Sequence, residues 1–374
     1  MLATTILSAT GDLSKASAGA ILGVSIGGIV SLLFMIIYKR ANYDRLAAGY
    51  TSGVAEGDTL EDNFRVDSVG KIIRDILTIG IPIALGASIM AILNSIDPKL
   101  CMNRLVNGVG LSHERAKYLY GCYGEVQTLF NLPAALTQPL NISVVPAIAG
   151  AMVLGKRTES EKVSEDSLRI TSVVAMPMAA GLAVLSGPIV SLMFKENAVG
   201  GEILRIMGIA SFFVCIVLME NAILQASGKE RLPMYSMISG SFVKIIVNWF
   251  LIADPAVNIV GAPVGTLCGY LWMAVMNFIF IRKTLGLKLN IARILFKPLV
   301  CSAAMGIAAF GVYKLAGAFV GTASWSRNAI CTVCAIGIAV IVYFVCVIAI
   351  RAITLEDMKL IPGGEKVGKL LHIH

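Results

Sequence analysis

Hydrophobic residues along this chain come in blocks of about 20, the length that crosses a hydrocarbon core as a helix. Nine such blocks can be read, at about 18–38, 74–96, 120–150, 169–194, 203–226, 234–253, 259–282, 297–319 and 328–350. The strict alternation over ~10 residues expected of a membrane β-barrel strand is absent from them. The pattern predicts an all-α polytopic membrane protein with about nine transmembrane helices. The third block is long and is interrupted by Pro133, Pro139 and Pro146. The longest connection, 39–73, is rich in Gly, Asp and Glu and reads as a surface loop.

Composition supports the membrane assignment. The chain has 374 residues, 57% of them hydrophobic and 14% charged, with a mean hydropathy of +0.80. A net charge of +8 would suggest nucleic acid as a partner for a soluble protein. Here the basic residues lie in loops and report orientation instead. With the first block running outside to inside, the inside segments hold 21 of the 31 Lys and Arg and the outside segments nine. That bias predicts a cytoplasmic C-terminus in the cell membrane. An outside N-terminus without a signal peptide, together with an odd number of spans, suggests further sequence upstream of Met1. The eight cysteines are scattered through apolar blocks, and Cys331 and Cys334 form a CxxC with no second Cys/His pair, so no zinc or redox site is expected.

Polar residues inside the blocks are the candidate functional positions, because each needs a partner or a water-filled cavity. The third block holds Glu125, Gln127, Asn131, Gln138 and Asn141, at spacings that put several on related helix faces. Its prolines remove backbone hydrogen bonds and bend or break the helix. The fifth block holds Glu220 and Asn221, and the seventh holds Asn277. These residues and Lys244 are read as lining a substrate cavity. Lys244 sits in "SFVKIIVNWFL" with no other charge between Pro233 and Ala253, and shares a helix face with Asn248 at i,i+4. Asp97 or Glu125 could meet it if the helices are adjacent.

Four segments, "NLPAALTQPLNISVVPAIAGA", "LRITSVVAMPMAAGLAVLSGPIV", "ILQASGKERLPMYSMISG" and "KIIVNWFLI" followed by "NIVGAPVGTLCGYLWMAVMNFIF", resemble the stage V sporulation protein B branch of polysaccharide exporters. That branch belongs to the multidrug/oligosaccharidyl-lipid/polysaccharide exporter superfamily, which includes the lipid II flippases. The resemblance runs from about residue 18 to about 350 and implies helices six to fourteen of a fourteen-helix, two-lobe fold. On that reading 1–73 is the last helix of the first lobe plus a cytoplasmic loop, and 74–283 is the second six-helix lobe. Residues 284–350 are then a trailing helix pair and 351–374 a cytoplasmic tail.

The resemblance further implies transport of a lipid-linked saccharide of the cell envelope by alternating access, with the head group between lobes and the lipid tail near 297–350. Membrane lipids and a missing N-terminal lobe are the implied partners, and no cofactor is expected. Some relatives hold sodium between helices matching the second, sixth and seventh blocks. The matching residues here are Asn94 or Asp97, Lys244 with Asn248, and Thr266. Lys244 departs from that pattern: either it is a tethered cation paired with Asp97 or Glu125 that replaces sodium or couples to protons instead, or it contacts substrate phosphate; sodium and proton coupling both stay open. The rival readings are a cation-coupled drug exporter and a lobe with an assembly role. An enzyme is disfavoured, because His113, His372, His374, Glu61–Asp62 and Glu356–Asp357 form no clear catalytic or metal constellation.

Overall fold

The computed structural model describes residues 13–42, 95–194, 197–287, 289–321 and 324–350, with isolated helical positions between 70 and 77. The chain divides into two units, Met1–Ile76 and Leu77–His374. In the first unit, helix α1 (Leu13–Ala41) carries the apolar stretch Ile26–Tyr38. Most of the span expected at 74–96, including Asn94, lies outside the described residues, as do Glu61–Asp62, Glu356–Asp357, His372 and His374.

The second unit begins with helical residues 95–103, here α2, which end in a π turn at Arg104–Gly108. Then follow α3 (His113–Phe130), α4 (Leu132–Val153), α5 (Arg157–Val184), the short α6 (Ser186–Met193), α7 (Gly200–Ala226), α8 (Arg231–Leu251), α9 (Gly261–Phe280), α10 (Ile291–Val320) and α11 (Trp325–Ala349). Every element described is helical, and among the described residues seven spans are long and apolar enough to cross a membrane. Local signals set several boundaries. Ser112 caps α3 by accepting from the Arg115 N–H at 3.3 Å, with Glu114 in the first turn. Gly228, at φ +70°, ends α7: the Lys229 N–H reaches back to the Leu224 carbonyl and the Gly228 N–H to that of Gln225, each at 3.0 Å.

The third block breaks once, at Asn131, two residues before Pro133, and not at Pro139 or Pro146. Pro133 lies in the first turn of α4, where its missing N–H has no helical acceptor to lose, and Pro139 and Pro146 are accommodated inside α4. Together α3 and α4 form one candidate span, His113–Met152.

Helix α7 is the axis of this unit. It packs against α3, α4, α5, α6 and α9, and 18 of its 27 residues are buried. Its first half (Ile203 to Val214) packs with Cys101 and Leu105 of α2 and with Ala116, Tyr123 and Val126 of α3. Its second half (Phe212 to Leu224) packs with Val144 and Ile148 of α4, Leu168 and Ala175 of α5 and Met273 of α9. The trailing helices α10 and α11 pack on each other, and their core reaches Val173 and Leu185 at α5. Asn328 of α11 donates to Ser191 Oγ at 2.9 Å and to the Pro188 carbonyl at 3.3 Å, and accepts from Tyr313 of α10 at 2.8 Å.

Lipid offers little hydrophobic drive between helices, so close backbone approach at small residues holds them together. A Cβ built on Gly208 of α7 would lie 2.8 Å from the Ala183 nitrogen and 3.1 Å from the Ala179 oxygen of α5. Gly208→Ala is therefore expected to separate α5 from α7 and destabilise the bundle by about 1–3 kcal/mol, read as a lowered melting temperature in detergent. Gly337→Ala is the control: nothing lies within 4 Å of that position, so its melting temperature should stay level or rise with the better helix propensity of Ala.

Candidate functional site

Asp97 of α2 joins two polar side chains of α8. Its Oδ2 accepts from Lys244 Nζ at 2.8 Å and its Oδ1 from Asn248 Nδ2 at 2.8 Å. Both carboxylate oxygens thus have a donor, and the charges of Asp97 and Lys244 cancel. Asp97 and Asn248 are buried, while the Lys244 side chain keeps 23% of its surface exposed. Of the two acids that could have met Lys244, Asp97 does so. Glu125 instead accepts from Asn197 Nδ2 at 3.0 Å, and the same amide donates to the Cys122 carbonyl at 2.9 Å.

Helix α9 makes room for this contact. Gly265 and Gly269 lie one turn apart against Asn248 and Lys244. A Cβ on Gly265 would fall 1.9 Å from Asn248 Oδ1, and one on Gly269 would fall 3.1 Å from Lys244 Cβ and 3.0 Å from the Gly240 oxygen. Thr266, adjacent to Gly265, takes no part in the Asp97 contact. Its hydroxyl donates to the Ala262 carbonyl at 3.0 Å and lies 3.4 Å from the Tyr123 hydroxyl.

Asp97 of α2 and Arg104 and Gly108 of the π turn that ends it all meet α8 or the residues just after it. Arg104 Nε donates to the Trp249 carbonyl at 2.9 Å, and its guanidinium carbon lies 3.9 Å from the Trp249 ring centre. Trp249 is in the last turn of α8, where carbonyls lack helical partners and a cation complements the helix dipole. A Cβ on Gly108 would come within 3.0 Å of Ala253 Cβ. Helix α2 therefore docks along α8 through an ion pair at one end and a capped carbonyl at the other. The sequence reading missed Arg104, although its spacing of seven from Asp97 was a usable signal.

The nine residues read as cavity-lining do not share one surface. Glu125, Asn131 and Gln138 are exposed on α3, at the break and on α4, and Gln127 and Asn141 are half-buried nearby. Glu220, Asn221 and Asn277 are a correction: they are enclosed between packed helices. Asn277 Nδ2 donates to Asn221 Oδ1 at 2.8 Å, joining α7 to α9. Glu220 is 2% exposed, and its Oε2 has no hydrogen-bond partner among the described residues. Hydrophobic periodicity cannot separate these classes, because a polar residue facing a neighbouring helix and one facing a cavity look alike in one dimension. Among the described residues, no three His, Cys, Asp or Glu side chains converge as a metal site requires.

Breaking a buried pair leaves one charge uncompensated, whereas replacing both partners by apolar groups is often close to neutral. Asp97→Leu or Lys244→Met alone is expected to cost about 3 kcal/mol, and the double variant to regain most of that. A double-mutant cycle on thermal unfolding in detergent measures this, and strictly additive losses would mean that the pair contributes nothing.

Comparison with known proteins sets these contacts in a family. The model of the lipid II flippase MurJ family matches residues 1–329. Among curated relatives, the uncharacterized membrane protein YabM of Bacillus subtilis (strain 168) is 24% identical over 367 residues, covering 96% of this chain and 64% of its own length. Stage V sporulation protein B of the same organism is 21% identical, over 93% of this chain and 63% of its own length. Its lipid II flippase MurJ is 25% identical, over 59% of this chain and 41% of its own. The chain thus spans less than two thirds of these relatives. A solved structure of lipid II flippase MurJ in an inward closed conformation is similar in fold, with a TM-score of 0.53 at 15% identity over 74% of this chain and 54% of that one. The contacts of α2, α8 and α9 and the polar face of α3 and α4 are those of a chain that belongs to the lipid II flippase MurJ family.

Proposed function

We propose that this protein takes part in moving a lipid-linked saccharide precursor of the cell envelope across the cytoplasmic membrane by alternating access. Family membership over residues 1–329 carries the reading. The exposed Glu125, Asn131 and Gln138 support it, because polar residues on the outside of a membrane bundle need water or a polar ligand beside them. They fit one wall of a cavity whose other wall comes from a second lobe. The excess of Lys and Arg in alternate connections supports a cytoplasmic C-terminus.

Within this mechanism, Lys244 serves as a built-in counter-cation for Asp97. The 2.8 Å contact puts its ammonium on the carboxylate, at a place where a dissociable ion would have to displace it. The contact joining α2 to α8 then needs no sodium to form. The partial exposure of Lys244 favours a second reading, in which the ammonium also reaches a substrate phosphate through a charge-assisted bond.

The test is reconstitution into vesicles with fluorescent lipid II, scoring how much label a membrane-impermeant quencher reaches over time. Faster transfer than in empty vesicles is expected, without stimulation by sodium. Transfer of cationic dyes and not of lipid II would favour a drug exporter. No transfer of either would leave an assembly role in front.

Lys244→Met separates the two roles of the lysine. A loss of transfer rate of about tenfold, the effect of 1.4 kcal/mol on a barrier, with unchanged lipid II affinity, is the outcome of a purely internal counter-cation. Weakened affinity is the outcome of phosphate contact. Sodium stimulation in the native chain that persists in Lys244→Met would remove the counter-cation reading.

A further inference from the structure

Helix α5 contains Pro177 in its interior. A proline there has no N–H, and its ring crowds the carbonyl four residues earlier. In α5 that carbonyl belongs to Val173. Within lipid, a backbone carbonyl without a donor costs several kcal/mol unless protein supplies one. The donor here comes from another part of the chain: the phenol of Tyr343, near the end of α11, donates to the Val173 carbonyl. Tyr343 and Val173 are both buried. They belong to one apolar core with Leu185, Cys301, Met305, Ala309, Ala335 and Ala339.

We propose that Tyr343 is a positioning residue for α5: its hydroxyl stands in for the N–H that Pro177 lacks and fixes the helix at the one point where its own hydrogen-bond ladder is open. Prolines are where long helices bend. Without the phenol, α5 carries an unsatisfied carbonyl at its proline. With it, that carbonyl is held by α11. The Asn328 contacts fasten α11 to α6 at its opposite end. The trailing pair is thus bonded on both sides of the proline and sets how α5 bends, where an appended pair would only fill space beside the lobe. Helix α5 packs on α4 and α7, so its bend reaches the helix that carries the exposed Gln138.

The link to transport rests on the flippase reading above. The bend does not, so the two can fail separately. The experiment uses the full chain in substrate-free proteoliposomes. Genetically encoded spin labels replace Thr158 and Val184, both exposed and on either side of Pro177; along an ideal helix they stand about 39 Å apart. The expected native result is one narrow distance distribution. In Tyr343→Phe, which keeps the ring and removes the donor, the width should about double as the bend is released. In Tyr343→Phe with Pro177→Ala, the restored backbone N–H closes the ladder, and the distribution should narrow again at the longer distance of a straighter helix. A Tyr343→Phe distribution equal to the native one overturns the proposal. So does broadening that Pro177→Ala fails to suppress, since that would assign the effect of Tyr343 to packing alone. Lipid II transfer in the same variants then asks separately whether the bend matters to flipping.

Discussion

A bilayer core contains no water to satisfy a stray hydrogen-bonding group, and the arrangement of this bundle follows from meeting that constraint inside the protein. The contact of Asp97 with Lys244 and Asn248 is its sharpest instance. An unpaired ammonium or carboxylate inside an apolar span is costly to hold in place. Each is tolerable because the other is 2.8 Å away and because Asn248 fills the remaining carboxylate oxygen. The same rule places Arg104 on the open carbonyl of Trp249, Tyr343 on that of Val173, and Asn277 on Asn221. In each case the polar group also joins two helices, so satisfying it fixes a helix–helix register.

Glycine makes these contacts geometrically available. Helices α8 and α9 touch backbone to backbone at Gly240 and Gly269, and Gly265 leaves the recess that the Asn248 amide enters. A methyl group at Gly265 would occupy that recess and push Asn248 off Asp97. Packing and electrostatics are therefore not separable at this place. The small residues bring the helices close, and closeness puts an amide and an ammonium within reach of one carboxylate. The electrostatic contact in turn holds α2, which Arg104 also ties to α8.

The buried and exposed polar residues do different work. Asn221 and Asn277 bond each other between α7 and α9 and join those helices. Those on α3 and α4 point outward, and an outward-pointing Glu or Gln on a membrane helix has use only beside water, a ligand or another polar surface. On the transport reading proposed above, that division puts the substrate-facing surface on α3 and α4. It makes α7 the axis on which that face is mounted, and the Asp97–Lys244 contact the brace behind it.

Periodicity and length alone placed most of the described spans close to where they lie, because a helix must be about 20 apolar residues long to cross; the fourth block, read as 169–194, is instead α5 (Arg157–Val184) followed by the short α6 (Ser186–Met193). Composition alone also singled out Lys244, since one charge in an apolar run stands out whatever surrounds it. The sequence could name Asp97 and Glu125 as partners but not choose between them. That choice depends on which helices are neighbours, and α2 meets α8 through residues 147 positions apart. The break at Asn131 was legible only in part: Pro133, Pro139 and Pro146 each mark a place where a helix can bend, and the helix breaks only beside the first of them. Enclosed Glu220, Asn221 and Asn277 could not be told from exposed Gln138, because hydropathy records what a residue is and only the assembled bundle determines what it faces.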